Sequence, residues 1–94
     1  MGKLREIEKE SLIDMKYPVV DVITSRIQRL RRKNSLYTAM LLGNTFKRKV
    51  KIVFQTSFNK FLVHTTIWYV GKDNVTLKGG RTLPIKSIEK VKLY

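Results

Sequence analysis

The chain has 94 residues and a hydrophobic share of 43%, enough for one small core and too short for two. It has no cysteine, which excludes disulfides, thiolate metal clusters and thiol chemistry, and no run near the ~18 apolar residues of a membrane span. Twenty Lys and Arg against seven Asp and Glu leave a formal charge of +13 and a pI near 10.4, which speaks of partners rather than of fold. The start has no apolar stretch of signal-peptide type, so the cytoplasm is the expected compartment.

The charge is segregated. Lys3, Arg5, Lys9 and Lys16 are balanced by Glu6, Glu8, Glu10 and Asp14. The whole excess lies in residues 17–94, where sixteen basic residues meet only Asp21, Asp73 and Glu89. One cluster is Arg26, Arg29, Arg31, Arg32 and Lys33, and another is Lys47, Arg48, Lys49 and Lys51. Lys72, Lys78, Arg81, Lys86, Lys90 and Lys92 form a looser third group.

In chain order, residues 3–16 read as a charged amphipathic helix, with Leu4, Ile7, Ser11, Leu12 and Met15 on one face. Residues 1–17 are therefore expected to form a separate N-terminal element. Tyr17-Pro18 breaks it, and Pro18 suits the first position of a second helix. Val20, Ile23, Ile27 and Leu30 recur at spacings of three and four, and Leu36, Tyr37, Met40 and Leu41 continue the stripe, predicting a helix over 19–42. Asn34-Ser35 either caps a new helix over 36–42 or lies inside a continuous one. Gly43-Asn44 is the expected stop.

The period then drops to two. Val50, Ile52 and Phe54 mark a first strand, Phe61 to Val70 a long second one, and Val75 and Leu77 a third. Gly71-Lys72-Asp73-Asn74 and Gly79-Gly80 supply turns. Leu83 and Ile85 mark a fourth strand, in which Pro84 cannot donate to a ladder. Ser87-Ile88 reads as a single helical turn, and Val91 and Leu93 mark a fifth strand. The expected fold is α+β: N-terminal helices followed by a five-stranded antiparallel small β-barrel over 46–94, with helix 19–42 packed on it, so that 18–94 is one domain.

This order resembles the small-barrel superfold of SH3-like and Sm-like proteins over residues 45–94, on the segment from Val75-Thr76-Leu77-Lys78-Gly79-Gly80 through Arg81-Thr82-Leu83-Pro84-Ile85-Lys86-Ser87-Ile88. Asp73-Asn74 resembles the Asp…Asn element of Sm-type RNA binders. Where those proteins carry Arg-Gly or Lys-His before the last strand, this chain reads Ile85-Lys86-Ser87, so their base-binding pocket is not implied. Leu42-Gly43-Asn44, Thr65-Thr66-Ile67-Trp68 and Leu77-Lys78-Gly79-Gly80 are also similar to small uncharacterised proteins of Bacteroidetes-type bacteria, which implies a bacterial cytosolic protein and no activity.

Catalysis is not expected. His64 is the single histidine, in mid-strand, and reads as a structural residue. No carboxylate pair has acid–base spacing, no metal-ligand spacing occurs, and Gly79-Gly80 lacks the frame of a phosphate-binding loop. No cofactor is implied. A polyanion partner is expected instead, RNA before DNA, held with little sequence preference. Arg26, Arg29, Arg32 and Lys33 on the helix and Lys47, Lys49 and Lys51 on the first strand are the expected phosphate contacts. Phe58, in a turn, is the expected exposed aromatic, and Tyr37, Trp68, Tyr69 and Tyr94 are further stacking candidates. Trp68 and Tyr69 are neighbours on a strand, so only one of them should face out. The alternative is a protein-interaction module, including self-assembly through residues 3–16. Adhesion to an anionic membrane surface through 26–33 ranks below both, because the apolar face of that helix is expected to cover the barrel.

Overall fold

The computed structural model describes residues 4–93. Lys3 of the expected first helix and Tyr94 lie outside the described residues. The described chain forms one α-helix and seven strands in two sheets. In order these are β1 (Arg5–Ile7), α1 (Arg26–Phe46), β2 (Val50–Gln55), β3 (Lys60–Thr65), β4 (Ile67–Val70), β5 (Asn74–Leu77), β6 (Thr82–Pro84) and β7 (Ile88–Lys92). A 3-10 helix covers Lys9–Asp14 and a single 3-10 turn covers Ile85–Ser87. The four-stranded sheet has the order β1-β3-β2-β7 and the three-stranded sheet the order β4-β5-β6.

The α+β class holds, and the closed five-stranded barrel does not. The expected long second strand is broken at Thr66 into β3 and β4, which belong to different sheets. With β4 continuing β3, the strand order is β7-β2-β3/β4-β5-β6, so a barrel would close by pairing β6 with β7, and these two do not pair. Helix α1 packs against β4 and β7, each an edge strand of its own sheet. A helix over two open edges hides them from other chains much as closure does. The two inner faces share one core, in which Val50, Ile52, Phe54, Val63 and Ile88 meet Ile67, Val75, Leu77 and Leu83.

The expected helix over 3–16 is replaced by β1 and the 3-10 helix. An isolated helix of that length is marginal in water, whereas β1 gains a parallel ladder on β3, with Ile7 opposite Val63. Leu12 is buried in the core, so this segment is built into the main body. Tyr17 follows it. Its ring lies 6.3 Å from that of Phe54, its hydroxyl donates to the carbonyl of Leu12 at 2.9 Å, and burial pushes the hydroxyl up to about 12.

Helix α1 also departs from expectation at both ends. It starts at Arg26, because Ser25 is its cap: the Ser25 hydroxyl accepts from the Gln28 amide at 3.3 Å. Residues 17–25 are an irregular connection, although Ile23 within it is buried. At the other end the helix runs through Gly43 to Phe46. Gly43 is buried, and a Cβ there would lie 2.6 Å from the carbonyl oxygen of Ile67 and 2.8 Å from Cγ2 of Thr66. The glycine is thus a point of contact between α1 and β4, not a stop.

The helix is held in rotation by one ion pair. Arg32 is 8% exposed and meets Asp21 in a two-point contact, Nη1 to Oδ1 at 2.8 Å and Nη2 to Oδ2 at 2.6 Å. Nη1 also donates to the carbonyl of Ile88 at the start of β7, at 2.9 Å. Asp21 Oδ1 accepts in addition from the Ile23 amide, and the Val22 amide donates to the carbonyl of Lys86. Burial on its own would raise the Asp21 carboxyl. The hydrogen bonds from Arg32 and Ile23 and the charges of Arg32 and Arg29 outweigh it and hold the group below its ordinary range.

Three expectations follow. Asp21→Ala leaves a buried guanidinium unpaired and should lose about 3 kcal/mol of stability in denaturant unfolding. A carboxyl depressed in the folded state stabilises above its unfolded value near about 4, and that contribution fades as pH falls further. The melting temperature of the native chain should therefore exceed that of Asp21→Asn at pH 7, and the gap should close as pH falls below about 4. Gly43→Ala gains roughly 1 kcal/mol of helix propensity but drives a methyl into backbone. It should be destabilising by about 1–3 kcal/mol.

Candidate nucleic-acid interface

Strands β4 and β5 are paired out of step. Ile67 faces Leu77, but Tyr69 faces Thr76 and Val70 faces Val75, so Trp68 is an extra residue with no partner. Such a bulge breaks the alternation of faces. Ile67 and Val70 are both buried, and the two residues between them both turn to solvent, Trp68 at 46% and Tyr69 at 62% exposure. A regular strand would have hidden one of these rings.

Both rings stand beside α1. Arg29, Lys33, Tyr37, Met40, Asn44 and Lys47 follow one another at steps of three and four and so lie along one flank of the helix. A cleft of about 510 Å³ opens where Arg29, Lys33 and Tyr37 face Tyr69 and Lys72. A second, of about 350 Å³, opens further along where Asn44 and Lys47 face Trp68 and Lys78. The two lie in line between α1 and β4. They share no lining residue, and taken together as one groove they carry Lys33 and Lys72 at one end, Lys47 and Lys78 at the other, and three aromatic rings. From Arg29 to Lys47 the groove spans about 27 Å of helix.

The expected contacts divide between this groove and other places. Arg29, Lys33 and Lys47 line it. Arg29 is shared, since its Nε donates to the carbonyl of Ile23 at 2.7 Å and lies 3.6 Å from Asp21. Arg26 is exposed on the same flank, at the N-terminal end. Arg32 is consumed by Asp21 and Ile88, and its buried Nε has no hydrogen-bond partner. Lys49 precedes β2 and is exposed. Lys51 faces away from the groove, in a cross-strand row with His64 on one side and Lys92 on the other. His64 is exposed there and is no core histidine. Phe58 is almost fully exposed, but at the β2–β3 turn near Lys16, at the far end of β3 from Trp68. The two basic clusters thus share a surface only through Arg26, Arg29, Lys33 and Lys47.

Lys47 carries a further cost. It follows the last helical residue with φ 53° and ψ 37°, in the left-handed region, and its amide donates to the carbonyl of Gly43. This is the position where glycine normally ends a helix. A lysine there is strained by about 1–2 kcal/mol, and it lines the same cleft as Trp68.

Among the described residues no group of His, Asp or Glu is placed to hold a metal ion, and no helix is long and apolar enough to cross a membrane. Comparisons of the chain with known protein families, with curated proteins and with solved structures find no match.

Lys47→Gly should raise stability by about 1 kcal/mol, read as a higher denaturant midpoint at unchanged slope.

Proposed function

We propose that this chain binds single-stranded nucleic acid, RNA before DNA, along the groove between α1 and β4, with little sequence preference and no chemistry of its own. The observation that carries the reading is the bulge at Trp68, which sets two neighbouring rings outward, each in a cleft that also holds a lysine. Bases stack on such rings whatever their identity, while the cations follow the phosphates. A duplex keeps its base faces covered, and RNA offers splayed bases mainly in single-stranded loops and ends. The groove's ~27 Å suits the short end of known single-strand sites, about four nucleotides.

The test is fluorescence anisotropy with short labelled oligonucleotides. Neutralising about four phosphates, with Lys33, Lys47, Lys72 and Lys78, predicts a log–log salt slope near −3, or about 50-fold weaker binding at 200 mM than at 50 mM salt. Trp68→Ala and Tyr69→Ala should each lose about 1–3 kcal/mol of affinity. Lys47→Gly should bind more weakly although it folds more stably. The reading is overturned if a duplex of equal length binds as tightly and Trp68→Ala changes nothing. Loss of binding on removing Lys51 and Lys92, with the groove intact, would equally move the site to the outer face of the larger sheet.

A further inference from the structure

Helix α1 is apolar on two opposite sides. Leu36, Ala39 and Gly43 are buried against the sheets. At about 100° per residue, Ile27, Leu30 and Leu41 fall nearly half a turn away, and they are 64%, 61% and 62% exposed. Asn34 and Thr38 lie between them on the same outer stripe. The stripe faces away from the sheets and is separate from the groove, which lies along the neighbouring flank. Its exposure overturns the expectation that Ile27 and Leu30 cover the barrel.

We propose that this stripe docks on the same stripe of a second copy, with the two helices antiparallel and Asn34 on the two-fold axis. The spacing is self-complementary. Ile27 and Leu41 lie seven residues either side of Asn34, and Leu30 and Thr38 lie four either side. An antiparallel pair centred there sets Ile27 of one copy on Leu41 of the other, Leu30 on Thr38, and Asn34 on itself, as an isologous contact requires. The charges agree. All five cations of α1 lie in 26–33, and 34–46 carries no charge. Antiparallel docking sets the basic half of each α1 against the uncharged 34–46 of the other, with Lys47, Arg48 and Lys49 just beyond its end. The basic centres are then about 15 Å apart, beyond the Debye length of about 8 Å at physiological salt. A lipid surface fits less well, because the amide of Asn34 would enter hydrocarbon at mid-stripe without a partner, whereas across a two-fold axis it meets another amide.

The test uses the full chain. Sedimentation equilibrium from micromolar to millimolar concentration should show a monomer–dimer equilibrium that tightens as salt rises, since salt screens the residual repulsion. Nucleic-acid binding weakens with salt, so the two proposals fail separately. Leu41→Lys should weaken the dimer at least ten-fold with the melting temperature nearly unchanged, because the side chain is exposed. The chain has no cysteine, so Asn34→Cys supplies one thiol per chain, and oxidation should link two chains through it, which Lys33→Cys, on the groove flank, should not match. A monomer at every concentration and salt, with no Asn34→Cys cross-link, overturns the proposal. A dimer that Leu41→Lys leaves intact overturns it too. Capture of the monomer by anionic phospholipid vesicles, lost in Leu41→Lys, overturns it in favour of a lipid surface.

Discussion

The contact between Arg32 and Asp21 sets the geometry of everything around it. Arg32 lies on the buried side of α1, so fixing its guanidinium fixes the rotation of the helix about its axis. That rotation decides which flank faces β4 and hence where Arg29, Lys33 and Lys47 emerge. The same side chain reaches the carbonyl of Ile88, so helix, connection and β7 are joined at one point. Breaking a buried charge pair costs more than its net worth, since the survivor is left uncompensated. In so basic a chain the choice of carboxylate is narrow. Asp21, Asp73 and Glu89 are the only acids after residue 16. One of the three is used here, and Glu89 pairs with Lys60 at 2.8 Å.

Much of the β half is legible in the residues. Alternation marks β2, Gly71 to Asn74 mark the turn before β5, and Pro84 ends up at the edge of its sheet. The helix is legible in its middle and not at its ends. Ser25-Arg26-Ile27-Gln28 carries the spacing of a capping box, a signal that outranks Pro18 as a start. Gly43 looks like a stop because glycine is common after helices, but here it permits a close crossing. The exposed stripe is concealed because α1 is apolar on both sides, and nothing in the periodicity says which side meets the sheet. Arg32 reads like its neighbours, and only burial separates a structural guanidinium from a free one. Strand β1 is invisible for a different reason: its three residues gain order from a ladder on β3, not from their own propensity.

Two backbone irregularities meet at one end of the groove: the unpaired residue Trp68 and the left-handed Lys47. Strain and broken register persist where the surroundings over-determine them, and they gather at sites of function. Both border the second cleft, and the residues they displace are a lysine and a tryptophan.

The bulge has an evolutionary consequence. An ordinary strand reading Ile-x-Val hides its first and third residues and shows its second. One codon inserted into it gives Ile-Trp-Tyr-Val, with the same two residues hidden and two rings displayed instead of one. Neither flank of the core is disturbed, because the extra residue has no partner to displace. A pair of exposed rings of this kind can therefore arise, or vanish, in a single insertion or deletion.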